Sequence, residues 1–439
     1  MARKERQPHV VLKRLRAAVL LTAAWAAGVG IVAAGAAPPP QLRYVVIVSR
    51  HGVRSPMWTS ERLNQYAAEP WPEWSVPPGN LTPHGRVLMQ LMGGYYREWL
   101  SSEHLLNQRG CGDVGRVYIH ADKDQRTMET GRALAETLLP GCALAVHSAP
   151  EGSRDALFDP ISAGIAKPDW QIAAQAVRER LENNPKQFMD VHQAAFEGLQ
   201  SVLVGEGSAP KKPIEPPKEI SVSLTGKSVQ LNEQLSVASS LSESLMLEYA
   251  EGMKGKDLGW GRLNADILFR VLKLHAVYAD LTRRTLYIAQ AKGSNLLDHV
   301  LLSMEQAASG KAVPGALGPP GAAVLILVGH DTNLSNLSGM LGLSWHLPGY
   351  QPDDTPPGGA LIFSLWRQPH TAQYFVRMQY LAETLEQMRS ATPLTIAAPP
   401  ATQDVAVPGC ESATGRVACS WETFVKTLQR AIDNRFVMN

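Results

Sequence analysis

The stretch "VVIVSRHGVRSP", from Val45 to Pro56, joins a strand-forming segment to a cluster of positive charge. The segment Tyr44–Val48 is a continuous run of β-branched and aromatic residues, which is typical of a strand covered on both faces. Directly after it come Arg50, His51 and Arg54. Two arginines and a histidine at the end of a buried strand predict a site for an anion.

Two further segments repeat this order of apolar strand, polar tip and helix. One is Arg116–Ala121, followed by "DKDQRTMETGRALAETLL", and the other is Val324–Val328, followed by "GHDTNLSNLSGML". Ligands bind beyond the carboxyl ends of the strands in open α/β sheets, and helix N-termini placed there favour anions. The sequence therefore predicts an α/β fold, with a mostly parallel sheet flanked by helices and a site at one sheet edge.

The middle of the chain has a different character. Residues 168–289 contain long helix-like segments with few strand signals, and the proline- and lysine-rich stretch Gly207–Glu219 reads as an exposed loop. We therefore predict a second, mainly helical domain over residues 168–289. The α/β catalytic domain would consist of residues 37–167 and 290–439.

The N-terminus has the order of a secretory signal peptide. A basic head precedes an Ala/Val/Leu-rich run from Ala17 to Ala34, and the small residues Ala34-Gly35-Ala36 suit cleavage after Ala36. The apolar run approaches the length of a membrane span, so an uncleaved anchor remains an alternative. We expect residues 1–36 to be removed, with the mature protein periplasmic or secreted and free of the membrane.

Charge narrows the choice of partner. Six basic residues and one acidic residue lie before residue 37, so the remainder of a chain whose total is +2 has a net charge of −3. No lysine- and arginine-rich stripe occurs after residue 36, which argues against nucleic acid as a partner. We expect a monomer that acts on a small molecule.

The four cysteines, Cys111, Cys142, Cys410 and Cys419, all lie in the exported part. An even number in an oxidising compartment predicts two disulfides, for which three connectivities exist. Pairing neighbours along the chain closes the shortest loops and is the arrangement we favour. The C-x-x-C spacing of a metal site is absent.

Arg50, His51 and Arg54 suit phosphate chemistry. Two planar guanidinium groups match phosphate oxygens, and neighbouring positive charge keeps an imidazole neutral and therefore nucleophilic. In the third tip, His330 can hydrogen-bond the phosphate and Asp331 can protonate a departing alkoxide. Arg126 supplies one more guanidinium group at the start of the helix after the second strand. The pattern favours phosphoryl transfer to histidine.

These motifs resemble those of a known family. "RHGVRSP" together with the distant "HD" pair is similar to the histidine acid phosphatase signature, R-H-G-x-R-x-P with a later H-D. The segments "LTPHG", "DQRTMETG", "GWGR", "GHDTNLSNL" and "PDDTPPGG" resemble, in the same order, the periplasmic bacterial branch of acid phosphatase/phytases and glucose-1-phosphatases. The resemblance covers nearly all of the mature chain.

The resemblance implies a phosphoglycerate-mutase-like α/β domain with a helical domain beside it and the site between them. It implies a phosphohistidine intermediate on His51 and a proton donor at Asp331. It also implies a phosphate held by side chains of the three tips, namely Arg50, Arg54, Arg126 and His330. No metal and no organic cofactor is implied.

Three positions bear on the substrate that the resemblance implies. Phytase members carry a polar and basic pair after the signature proline, where this chain has Met57 and Trp58. Thr332 in "HDT" matches the phytase form, and Glu243 matches a helical-domain glutamate near the substrate, although both residues could instead be ordinary helix residues. A phytase-like enzyme is the favoured interpretation. A glucose-1-phosphatase-type sugar phosphatase and, more remotely, an inactive phosphate-binding protein of the same fold are the alternatives.

Overall fold

A computed structural model describes residues 38–183, 185–205, 209–224, 228–410 and 417–438; the predicted signal peptide, residues 1–36, lies outside this range. The strands in the described residues are β1 (Gln41–Arg50), β2 (Val117–Ala121), β3 (Val146–His147), β4 (Val222–Leu224), β5 (Val229–Leu231), β6 (Val324–Gly329), β7 (Ala360–Arg367), β8 (Tyr374–Ala382), β9 (Ala401–Asp404) and β10 (Cys419–Ser420). The α-helices are α1 (Ser60–Leu63), α2 (Pro83–Ser102), α3 (Gln125–Leu138), α4 (Trp170–Asn183), α5 (Pro185–Val204), α6 (Glu233–Ala250), α7 (Ala265–Arg283), α8 (Leu286–Ser309), α9 (Asp331–Leu341), α10 (Leu385–Ser390) and α11 (Trp421–Ala431).

The central sheet has the strand order β10-β8-β7-β1-β6-β2-β3, and β9 pairs with β8. The strands β1, β6, β2 and β3 are parallel to one another, whereas β7 to β10 add antiparallel pairs on the other side of β1. Helices flank this sheet, so the predicted fold class is confirmed. The three predicted tips belong to neighbouring parallel strands and therefore end at the same edge.

Strand β1 is buried on both faces, as its composition predicts. Val45, Val46, Ile47 and Val48 are all 0% exposed. Val46 and Val48 pack into one hydrophobic core, whereas Val45 and Ile47 pack into another. Because alternate side chains of a strand point to opposite faces, this division shows that the sheet separates two cores. The site is thereby built on a rigid central strand.

The middle region contains α4, α5, α6 and α7, as its helix-like sequence predicts. It also holds the antiparallel pair β4–β5, which the sequence did not predict. Helix α8 runs across the predicted boundary at residue 289. Residues 39–439 cluster as one compact unit, and the division into two domains remains a prediction.

The four cysteines form two disulfides, Cys111–Cys142 and Cys410–Cys419. These are the neighbour pairings favoured by loop length, with sequence separations of 31 and 9. Within the described part of the chain, no helix is both long enough and apolar enough to cross a membrane.

Candidate active site

The carboxyl ends of β1, β2 and β6 meet at one edge of the sheet, with Arg50 opposite Gly329 and Ala121 opposite Val328. The backbone of His51 is held on both sides. Its N–H donates to the carbonyl of Gly329 at 3.0 Å, and its carbonyl accepts from the N–H of Gly358 at 2.9 Å. The tip of β1 is therefore clamped between β6 and the loop that leads into β7.

Gly52 is required at this tip by close packing. A Cβ atom at this position would lie 2.7 Å from the side chain of Met89 and 3.1 Å from the carbonyl oxygen of Gly85, both on α2. The backbone N–H of Gly52 donates to Thr130 Oγ1 at 3.0 Å, which ties the loop to α3. The glycine of the motif thus lets the loop carrying His51 lie directly against α2.

His51 is buried, with 2% of its surface exposed. Its Nδ1 lies 2.9 Å from the carbonyl oxygen of Gly52. A carbonyl only accepts, so Nδ1 carries the hydrogen and Nε2 carries the lone pair. Burial, and then the charges of Arg50 and Arg54, hold the pKa of His51 well below its usual range. The site thus contains a neutral imidazole with a free nucleophilic nitrogen.

Arg50 and Arg54 converge on one oxygen of Glu243, a residue of α6. Arg50 donates from Nη2 to Glu243 Oε1 and from Nη1 to the carbonyl of Thr355 at 2.7 Å. Arg54 Nη2 lies 3.1 Å from the same Oε1. Burial alone would raise the pKa of Glu243, but the guanidinium groups of Arg54 and Arg50 outweigh it and lower this pKa to about 2. The two forks are therefore arranged to hold an anionic oxygen between them.

Arg126 and His330 stand beside this pair of arginines. Arg126 Nη2 lies 3.4 Å from Nδ1 of His330, and the rings of His330 and His51 are 5.7 Å apart. Nε2 of His330 lies 2.6 Å from Oδ2 of Asp122, the residue that follows β2. Burial opposes ionisation of Asp122, but the hydrogen bond and charge of His330 lower its pKa. The Asp122 carboxylate therefore accepts from Nε2–H and orients the ring of His330.

Asp331 begins α9, and its carboxylate is held at both oxygens. Oδ1 accepts from the backbone N–H of Thr332 at 2.8 Å, and Oδ2 accepts from Nη1 of Arg283 at 2.6 Å. Burial would raise the pKa of Asp331, but the charges of Arg283 and Arg50 hold it well below the usual range. The hydroxyl of Thr332 lies 3.4 Å from Oδ1 of Asp331.

A cavity of about 630 Å³ adjoins His330 and Thr332. Its basic lining residues are Lys123, Arg154 and Lys292, and its acidic lining residues are Asp122, Asp124, Asp155 and Asp159. Lys292 forms no hydrogen bond or ion pair among the described residues, but the charge of Asp159, which lines the same cavity, acts on it. Burial, and then the nearby charge of Arg283, lowers the pKa of Lys292. The cavity thus places Lys292 beside His330 and Thr332, the two cluster residues that also line it.

The donor atoms of the site suit an anion better than a metal ion. Two groups of acidic and histidine side chains have their donor atoms within 4.8 Å of one another: Glu243, His275 and Asp331, and Asp122, Asp124 and His330. Each carboxylate in these groups already accepts from an arginine or a histidine. These carboxylates neutralise surrounding positive charge, which leaves their oxygens poorly disposed to ligate a cation.

The structure brings all eight residues named from the sequence into one cluster at the sheet edge. Sequence reasoning missed Asp122, Arg283 and Lys292. Asp122 could have been found, because it directly follows β2 just as His51 follows β1. Arg283 ends α7 next to Arg284, and Lys292 lies on α8; no local pattern distinguishes either residue.

Comparison with known proteins agrees with this geometry. The family model described as histidine phosphatase superfamily (branch 2) matches residues 41–380. The chain is 36% identical over 407 residues to phytase AppA of Escherichia coli K12, covering 90% of this chain and 93% of that protein. It is 26% identical over 400 residues to a glucose-1-phosphatase of Providencia rettgeri, covering 89% and 92%.

The fold is similar to that of solved phytases. Hafnia alvei phytase in complex with myo-inositol hexakis sulphate superposes with a TM-score of 0.82 at 33% identity, covering 91% of this chain and 99% of that chain. The family match spans the tips of all three strands that form the site. The chain therefore belongs to branch 2 of the histidine phosphatase superfamily and is a phytase-like histidine acid phosphatase.

Proposed function

We propose that this enzyme hydrolyses phosphomonoesters through a phosphohistidine on His51 and that its preferred substrates are inositol polyphosphates such as phytate. The observation that carries the proposal is the neutral imidazole of His51, whose Nε2 carries a lone pair within a cluster of arginines. Arg50, Arg54 and Arg126 supply fixed positive charge for the phosphoryl oxygens as charge shifts in the transition state. His330, whose ring Asp122 orients, lies beside Arg126 at the edge of this cluster.

In the first step, the Nε2 lone pair of His51 forms a bond to phosphorus while the bond from phosphorus to the ester oxygen breaks. Asp331 gives its proton to that oxygen, and the alcohol leaves. The hydrogen bond from Nδ1 to the carbonyl of Gly52 stabilises the positive charge that the ring acquires. Asp331 must be protonated for this step, so turnover is favoured by acid.

In the second step, water attacks phosphorus of the phosphohistidine. The Asp331 carboxylate takes a proton from that water, and the electrons of the N–P bond return to Nε2. Inorganic phosphate leaves, and both residues regain their starting protonation states. The ion pair with Arg283 keeps Asp331 in the carboxylate form that this step needs.

The preference for inositol polyphosphates is supported by the cavity beside His330. A substrate with several phosphates needs positive contacts beyond the scissile group. Lys292 lines this cavity and forms no ion pair among the described residues, and its nearest acidic influence is Asp159 of the same cavity. The similarity to a phytase solved with an inositol hexasulphate points the same way. Glucose 1-phosphate is the second candidate substrate, because Met57, which is 53% exposed, stands where phytases have a polar residue.

The substrate preference is tested by comparing kcat/KM for phytate and glucose 1-phosphate in wild type and in Lys292→Met. We expect wild type to favour phytate, and we expect the substitution to lower kcat/KM for phytate about tenfold or more through loss of a charge-assisted contact. Glucose 1-phosphate should be little affected. Lys311→Met removes an exposed lysine outside the cavity and serves as the control. A wild-type preference for glucose 1-phosphate, or equal losses on both esters, would favour the sugar phosphatase.

We also propose export to the periplasm or the medium. The signal-like segment before residue 37 and the two disulfides support this location. Mass spectrometry of the secreted protein should find an N-terminus at Ala37. An intact N-terminus in a membrane fraction would show instead that the segment is kept as an anchor.

A further inference from the structure

Arg283 forms an ion pair with Asp331, the proposed proton donor. Nη1 of Arg283 donates to Oδ2 of Asp331 at 2.6 Å, and the two side chains are 17% and 14% exposed. Solvent therefore screens the pair only partly. The arrangement is held by the backbone as well, because the carbonyl of Arg283 accepts from Nδ2 of Asn336 at 2.8 Å. This bond ties the end of α7 to α9, the helix that Asp331 begins.

Charged and titratable groups face Asp331 from several elements: Arg283 and His275 on α7, Arg50 on β1, Glu243 on α6, Arg126 on α3, Tyr380 on β8 and the adjacent His330. Among the charged side chains that the structure describes, only Arg283 donates a hydrogen bond to the Asp331 carboxylate. Arg50 is already engaged by Glu243 and by the carbonyl of Thr355. Arg283 is therefore the group whose removal changes the proton affinity of Asp331 most directly.

We propose that Arg283 is a positioning residue that favours the ionised form of Asp331 in the free enzyme and so sets the upper pH limit for cleaving esters with alcohol leaving groups. This inference rests on the proposed role of Asp331 as proton donor. A guanidinium in contact favours the carboxylate form, which cannot donate a proton. Arg283 thus opposes the first step and favours the second, in which the carboxylate receives a proton from water.

The inference is tested by the pH dependence of kcat/KM, which reports ionisations of the free enzyme. Arg283→Gln is compared with Arg283→Lys, which keeps the charge, using glucose 1-phosphate as the alkyl ester and p-nitrophenyl phosphate as the aryl ester. Arg116→Gln is the matched control, because Arg116 pairs with Asp113 at 2.7 Å before the amino end of β2, at the opposite end of the strand from the site. The position of a pH limb is independent of any uniform loss of activity.

We expect Arg283→Gln to move the upper limb for glucose 1-phosphate by about one pH unit or more to higher pH. At a pH above the wild-type limb, the variant should therefore retain a larger fraction of its own maximal kcat/KM than wild type retains of its maximum. Arg283→Lys and Arg116→Gln should keep the wild-type limb, and the limb for p-nitrophenyl phosphate should not move in any variant. Arg283→Met provides a second variant without the positive charge if the Arg283→Gln protein does not fold.

Two results would overturn the inference. One is a limb for glucose 1-phosphate that stays in place in the neutral variants. The other is an equal shift for both esters, because the aryl ester does not need the acid. Asp331→Asn distinguishes failure of the underlying mechanism from failure of this inference. If Asp331→Asn loses kcat/KM equally on the two esters, Asp331 is not the proton donor. If it loses kcat/KM selectively on glucose 1-phosphate while the pH limb of Arg283→Gln stays in place, only the role of Arg283 is rejected.

Discussion

His51→Ala should lower kcat by on the order of 10⁴-fold or more, because the substitution removes the protein atom that forms a bond to phosphorus in the proposed mechanism. The arginines that bind phosphate remain in place, so the variant should still bind inorganic phosphate. The measurement is steady-state hydrolysis of p-nitrophenyl phosphate. His147→Ala is the control, since His147 is exposed and stacks on Tyr118 away from the site.

A second readout of the same variant identifies the intermediate. Wild type mixed with radiolabelled substrate and denatured in alkali should carry label that acid releases, as expected of a phosphohistidine. His51→Ala should carry none. Label retained in the variant would move the nucleophile to another residue. Absence of label and of turnover in wild type would favour an inactive phosphate-binding protein.

Asp331→Asn should separate substrates by their leaving groups. Asparagine keeps the shape and the acceptor oxygen of the side chain, but it has no proton to give to an alkoxide. General acid catalysis contributes about 10²- to 10⁴-fold, and we expect a loss in this range on glucose 1-phosphate. Nitrophenolate leaves without a proton, so p-nitrophenyl phosphate should lose much less.

The comparison uses kcat/KM, because this constant covers only the steps up to departure of the leaving group. The second step, in which Asp331 acts as a base, therefore does not enter. Asp433→Asn serves as the control, since Asp433 pairs with Arg435 near the C-terminus. Equal losses on the alkyl and aryl esters would mean that Asp331 positions the phosphate rather than protonating the alcohol.

Much of the fold was predictable because its signals are local. Tyr44–Val48 and Val324–Val328 are apolar runs typical of a strand covered on both faces, and both are central parallel strands. Parallel neighbours end at one edge, so the tips they carry had to meet. The β4–β5 pair gave no comparable signal, since each of its strands has only three residues.

The features of the site also divide into those that the local sequence predicts and those that depend on packing. The chain positions of Arg50, His51 and Arg54 within one loop, and of His330 and Asp331 at a helix start, follow from spacing and residue type. The pairing of His330 with Asp122 spans 208 positions and that of Arg283 with Asp331 spans 48. Such pairings depend on how separate elements pack, which no local pattern records.

The amino-acid sequence by itself determined the central strand, its positively charged tip and the residue types that phosphoryl transfer needs, because these depend on neighbours along the chain. Only the tertiary structure decided which carboxylates are ionised and what holds them. Packing of α7 against α9 sets Arg283 on Asp331, and the ends of β2 and β6 set Asp122 on His330. The electrostatics of the site therefore arise from contacts between distant segments, whereas its reactive residue types are set by short stretches of sequence.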